Sequence, residues 1–327
     1  MIPAIEWGTG LILRLQQLGS WLETPMKAAS FLSTEYAYLF LLPALFWCID
    51  AGMALRVGIS VMTANSLNAG FKLLLHTPRP FWINPDVKAL AVETSFGAPS
   101  GHSINAVSLW GRLAAEIQSR WMRWLLILLI ALIAISRLYL GVHYPIDVLL
   151  GLLAGSIIVW LLIHFEKPAL DWFLSLRLWN QIAVLLGAVL LLVAFGYTAL
   201  QLQKNVPVPE VWLARIEEAD PGNPGHPFNL DGLLSSAGTL FGVVLGGLFL
   251  YRCGGLSKSS DPQQAFLRYL VGIIVLVALY MGMRMLHFGI PWAAAIYRFI
   301  RYGILGFWVS YGAPWIFGKL QLAKQPD

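Results

Sequence analysis

Apolar runs recur along the whole length of the chain. A helix that crosses a bilayer needs roughly 20 mostly apolar residues. Runs of that character lie at 36–49, 54–75, 103–117, 121–140, 145–165, 178–200, 232–251, 266–285 and 293–317. The stretches 178–203 and 232–251 carry no charged residue. The runs 36–49 and 103–117 are short, and Pro43 interrupts the first, so each reads either as a span or as a partly buried helix. The pattern predicts an all-α integral membrane protein with about nine transmembrane helices. Ahead of them, Leu11, Ile12, Leu15, Leu18 and Leu22 recur at helical spacing, with Arg14, Gln16, Gln17, Ser20 and Glu23 between them and Pro25 at the end. This predicts an amphipathic segment over 1–30, lying on the membrane surface or packed on the protein itself. Two polar stretches interrupt the rest, 76–101 and 201–231. Polar loops of such length are commonly functional or mobile. The first residues contain an acid and no basic cluster, so they do not read as a cleaved signal peptide.

Composition supports lipid as the solvent. Of 327 residues, 58% are hydrophobic and 12% charged, whereas soluble domains carry about 25% charged residues. The net charge of +5 comes from scattered lysines and arginines rather than a basic stripe, which argues against a nucleic-acid partner. The two cysteines, Cys48 and Cys253, are far apart and form neither a disulfide framework nor a CxxC metal motif.

Candidate chemistry lies where charge is expensive, at the ends of apolar runs. Lys72 falls in the last turn of the second run, and Arg79 follows between Pro78 and Pro80. Two cations there suit an anion or else snorkel to the interface. In Ala98-Pro99-Ser100-Gly101-His102-Ser103, Ser100 is a good N-cap and Gly101 allows close backbone approach. The helix that begins there offers free N–H groups to an anion, with His102 in its first turn. Arg137 ends the fourth run and His143 precedes the fifth; Asp147, four residues on, can share a helix face with His143 and fix its tautomer. Because consecutive spans alternate direction, all three patches fall on one membrane face. Together they supply three cations, a helix N-terminus, two histidines and a carboxylate. No Cys, Asp or Glu cluster suggests a metal or other cofactor. Positioning and charge stabilisation are what phosphoryl transfer chiefly requires.

The patterns KxxxxxxRP, PSGH and SRxxxxxHxxxD, in this order across residues 72–147, resemble the three signature motifs of the type 2 phosphatidic acid phosphatase superfamily. That group includes lipid phosphate phosphatases, undecaprenyl and dolichyl diphosphatases, sphingosine-phosphate phosphatases, glucose-6-phosphatases and vanadium haloperoxidases. The resemblance implies a six-helix phosphatase core over 31–170, followed over 171–327 by additional transmembrane helices that include the polar loop 201–231. It implies metal-independent hydrolysis of a phosphate monoester or diphosphate, foremost on a lipid, through a phosphohistidine. His143 is then the nucleophile, Asp147 its orienting partner, and His102 the acid that protonates the leaving alkoxide and afterwards activates water. Lys72, Arg79, Ser100, Gly101 and Arg137 are then the phosphate-binding set.

Other readings stay open: a soluble sugar phosphate as substrate, or a non-catalytic lipid-binding or transport relative. The layout beyond the core is similar to that of glucose-6-phosphatase and sphingosine-phosphate phosphatase. Arg284, His287, Arg298 and Arg301 in that extension either touch a substrate headgroup or pair structurally. His76 reads as support behind the phosphate-binding residues, and His164 and His226 as structural. The short loops opposite the motifs concentrate Lys and Arg, as at 119–123, so the active-site face is expected to be extracytoplasmic or lumenal. Homo-oligomers are compatible with all of this.

Overall fold

The computed structural model describes residues 2–221, 227–258, 261–286 and 288–323, and these form helices and connecting loops without a strand. His226 and His287 lie outside the described residues. Among the described residues, five helices are long and apolar enough to cross a membrane: Arg120–Tyr139 (α8), Pro145–Ser175 (α9), Leu178–Gln203 (α10), Asp231–Arg252 (α12) and Pro262–Arg284 (α13). A sixth span arises if the bent pair Ser20–Phe31 and Glu35–Ile49, which meet at 53°, counts as one. The protein is thus an all-helical, multi-pass membrane protein. The remaining expected runs are helical as well. Residues 54–75 fall within Ala51–Leu75 (α4), which also carries Arg56, Asn65, Asn68 and Lys72. Residues 103–117 fall on Gly101–Ala106 (α6), a π-turn at Val107–Gly111 and Arg112–Glu116 (α7). Residues 293–317 fall on Pro291–Phe307 (α14), a π-turn at Trp308–Gly312 and Ala313–Lys319 (α15).

Two compact units emerge, one of residues 1–34, 67–161 and 195–230, the other of residues 35–66, 162–194 and 231–327. In the first, local sequence sets the helix starts. Ser100 caps α6 by accepting from the Ser103 amide, Ser119 caps α8 by accepting from the Met122 amide, and Pro145 opens α9. The N-terminal helix Ile2–Gln16 (α1) packs on the protein. Its Ile12 is fully buried in a cluster with Tyr139 and Leu140. Gln16 Nε2 donates to the carbonyls of Lys88 (2.8 Å) and Tyr139 (3.0 Å). Helices α9 and α6 meet backbone to backbone. A Cβ at Gly151 would lie 2.6 Å from the Ser100 carbonyl, and one at Gly155 would lie 2.9 Å from the Ile104 carbonyl.

The second unit holds itself together in two ways. α12 and α14 lie so close that a side chain at Gly238 would run into the Phe299 carbonyl, and one at Gly242 into that of Gly303. Such small-residue seams suit lipid, where close van der Waals packing drives helix association. Buried Arg268 donates to the carbonyls of Leu322 (2.8 Å) and Ser257 (2.9 Å), and so ties two non-helical stretches to α13. Arg298 pairs with Asp231 at 2.9 Å, and Arg301 stacks 5.0 Å over the Tyr302 ring.

Candidate active site

The three sequence patches converge in the first unit. α4 ends through His76, whose φ of 49° turns the chain sharply into Thr77–Arg79. The loop that follows folds back over this turn: the Gly97 amide donates to the Thr77 carbonyl (2.8 Å) and the Ala98 amide to Thr77 Oγ1 (2.6 Å). Side-chain room is absent at Gly97, where a Cβ would lie 2.7 Å from the Pro78 carbonyl. This fold-back presents the Ser95 and Phe96 carbonyls to the cations. Lys72 Nζ donates to the Phe96 carbonyl (2.5 Å) and Ser95 Oγ (3.1 Å). Arg79, with no exposed surface, donates through Nε to the Ser95 carbonyl (2.6 Å) and through Nη1 to the Val142 carbonyl (2.8 Å). Its orientation is thus fixed by backbone, as a binding site for a planar or tetrahedral anion requires.

The histidines occupy complementary places. His143 is 1% exposed, on the joint between α8 and α9. Arg79 Nη1 donates to its Nε2 at 3.2 Å. A guanidinium only donates, so Nε2 is the bare, lone-pair nitrogen and the ring proton resides on Nδ1. Asp147 Oδ2 stands 3.5 Å from that Nδ1 and also accepts from the Tyr144 amide at 2.9 Å. Nδ1 itself makes no hydrogen bond in this arrangement. Burial, followed by the charges of Arg79, Lys72 and Arg137, pushes the His143 pKa well below 6.5, so the ring is neutral. The Ser100 amide donates to the Asp147 carbonyl at 2.9 Å, which ties the His102 helix to the start of α9. Ser100 Oγ is buried, and Gly101 faces Lys72 and Asn68.

One residue here carries no signal in the sequence reading. Glu93, from the polar stretch 76–101, places its carboxylate among the cations. It accepts from Arg137 Nη2 at 2.5 Å and lies 3.5 Å from Arg79 Nη2 and 3.6 Å from His102 Nδ1. Burial pushes this carboxyl up, but Arg79 and Arg137 more than offset that, and the net shift is downward, so it is ionised. Ser30, also unanticipated, accepts from Arg137 Nη1 at 2.5 Å. Arg137 Nε remains buried without a hydrogen-bond partner. The cations of the cluster thus already face one ionised carboxylate of the chain itself. His76 packs its ring on Phe96 at 4.1 Å and lies 5.0 Å from Phe228, next to the segment whose carbonyls hold Lys72 and Arg79.

All of these motif residues lie within residues 53–171, which match the PAP2 superfamily. Phosphatidylglycerophosphatase B of Bacillus subtilis is 33% identical over 159 residues, 45% of this chain and 76% of that protein. The chain belongs to the PAP2 superfamily. Residues 234–325 match a second description, the transmembrane extension of PAP2 superfamily phosphatases. Glucose-6-phosphatase 3 of Bos taurus is 28% identical over 239 residues, 64% of this chain and 67% of that protein. Among solved structures, the transmembrane PAP2 type phosphatidylglycerolphosphate phosphatase from Bacillus subtilis aligns with a TM-score of 0.44 at 24% identity, over 50% of this chain and 86% of that one. This PAP2 protein is accordingly a membrane phosphatase, a hydrolase of phosphate esters.

Proposed function

We propose that the protein hydrolyses a phosphate monoester or diphosphate carried by a lipid, without a metal, through a phosphohistidine at His143. The observation that carries this reading is the bare Nε2 of His143 beside the buried guanidinium of Arg79, with Lys72, Arg137 and His102 in the same cluster. In the first step Nε2 attacks phosphorus and the bond from phosphorus to the leaving oxygen breaks. His102 gives that oxygen its proton. Lys72, Arg79 and Arg137, with Ser100 Oγ and the Gly101 amide, hold the phosphoryl oxygens and stabilise the charge that builds on them. In the second step His102 takes a proton from water, the water oxygen attacks phosphorus, and the P–N bond returns its electron pair to His143. Asp147 holds Nδ1 throughout.

The name of the Bacillus relative supports a lipid substrate, as does a site set among apolar helices. The length of alignment with glucose-6-phosphatase 3 favours a second reading, a soluble sugar phosphate. The same proposal includes a phosphatase core over 31–170, nine membrane crossings in all, and an active-site face turned to the extracytoplasmic or lumenal side.

The test is phosphate release from purified protein presented with phosphatidate, phosphatidylglycerophosphate, a polyprenyl diphosphate and glucose 6-phosphate, in the presence of EDTA. Turnover of at least one lipid in EDTA, with an acid-labile phosphoenzyme trapped in wild type and absent in His143→Ala, is the expected result. His143→Ala should lose several orders of magnitude in rate. Preference for glucose 6-phosphate would establish the second reading; a few per cent residual activity in His143→Ala would remove the nucleophile assignment.

A further inference from the structure

Glu93 has no part in the steps above, yet its carboxylate lies at their centre. Two acids accompany the site's cations, and each faces the Nδ1 of a histidine: Asp147 at 3.5 Å from His143 and Glu93 at 3.6 Å from His102. The two pairs serve opposite needs. His143 must be bare at Nε2, and the cations around it favour that. His102 must carry a proton to the leaving oxygen, and the cations around it oppose that. Burial and the charges of Arg137 on α8, Lys72 on α4 and Arg79 on the loop all act against an imidazolium at His102, and Glu93 is the carboxylate that favours one.

We propose that Glu93 is the positioning residue of His102: its carboxylate holds the Nδ1–H and supports the imidazolium whose Nε2 proton passes to the leaving oxygen. This rests on the phosphohistidine reading given above. In the structure Glu93 also pairs with Arg137 and Arg79, at 2.5 and 3.5 Å. A phosphate dianion takes over those guanidiniums and adds negative charge beside His102. Glu93 is then left to the imidazole, and the balance tips toward the protonated ring. As the P–O bond breaks, its electron pair goes to the leaving oxygen and the Nε2 proton follows. The Nδ1–H remains with Glu93, and the neutral ring is ready to accept a proton from water.

The experiment separates help with leaving-group departure from any other contribution of Glu93. Full-length wild type, Glu93→Gln, Glu93→Asp, His102→Ala and the Glu93→Gln/His102→Ala double variant are assayed in detergent micelles. The two probes are dodecyl phosphate, whose alkoxide needs a proton, and p-nitrophenyl phosphate, whose phenolate leaves without one. General acids contribute on the order of 10²–10⁴-fold. Glu93→Gln should therefore lower kcat/KM for dodecyl phosphate by about 30–100-fold, and for p-nitrophenyl phosphate by no more than about threefold. Its basic limb on dodecyl phosphate should move to lower pH. Glu93→Asp, which keeps the charge, should recover most of the loss, and Glu93→Gln should cost nothing further once His102 is alanine. Equal losses on both probes, or a full additive loss in the double variant, would overturn the assignment and leave Glu93 as a clamp for the arginines. If His143→Ala retains activity, the phosphohistidine reading itself fails and this inference falls with it.

Discussion

His143 works among cations, and that sets the pH range in which it is available. Its pKa lies well below 6.5 because burial, and then Arg79, Lys72 and Arg137, disfavour a proton on the ring. A base whose pKa is lowered keeps its lone pair as the pH falls, so loss of the nucleophile through protonation begins only below pH 6.5. Once kcat/KM is corrected for the substrate's own second ionisation, near 6 for a phosphate monoester, the remaining acid limb should fall below pH 6.5. A corrected limb at pH 7 or above would mean that His143 is protonated in the resting enzyme. Lys72, Arg79, His102, Arg137, His143 and Asp147 were legible in the sequence because spacing tied each to a helix end or to a partner four residues away. Glu93 and Ser30 were not. Glu93 reaches Arg137 across 44 positions and Ser30 reaches it across 107. Nothing local marks either residue; the contacts exist only after the loop folds back, with the Leu90 amide on the Leu140 carbonyl at 3.1 Å.

Between elements, the spacing of the two histidines is set by the glycine face of α9 against α6. His143 and Asp147 stand at the head of α9 and His102 in the first turn of α6, so any side chain between those helices changes the distance from nucleophile to acid. Gly151→Val should push the α6 start away from the Ser100 carbonyl contact and lower kcat by at least 10²-fold. The loss should be comparable on good and poor leaving groups, because nucleophile and phosphate site are both displaced. Membrane insertion, read by resistance to carbonate extraction, should be unchanged. A Gly151→Val enzyme of normal kcat would show that this close approach does not govern the site. The pattern of apolar runs predicted α8, α9, α10, α12 and α13 well, since a charge-poor run of about 20 residues in lipid has little alternative to a helix. It could not show which helices approach at backbone distance. Glycine reads alike as a breaker, a hinge or a seam until its neighbour is known. The amphipathic pattern of α1 was equally silent about its partner, which Gln16 reveals through its bonds to the Lys88 and Tyr139 carbonyls.

For the molecule as a whole, the proposed orientation has a direct test. With Cys48 and Cys253 replaced by serine, a single cysteine is placed at exposed Pro207 or exposed Lys319. A membrane-impermeant maleimide applied to intact cells should label Pro207→Cys and spare Lys319→Cys until the membrane is opened. The reverse pattern would place the active site on the cytoplasmic side. Lys and Arg in short loops opposite the motifs provided this expectation, since the basic residues on the motif face lie in long stretches where the charge rule loses force. There is also an order in time. Ser30, Lys72, Arg79, Glu93, His102, Arg137, His143 and Asp147 all precede residue 150, while Trp212, which packs with Trp82 at 5.7 Å, and Phe228, against Phe96 at 5.1 Å, come much later. At synthesis rates of roughly 5–20 residues per second, the ribosome is still adding residues for many seconds after the last catalytic group has emerged. The residues of the proposed site are therefore made first, and the aromatic side chains of Trp212 and Phe228 afterwards. A nascent chain halted before residue 200 would already hold every charge that the chemistry uses.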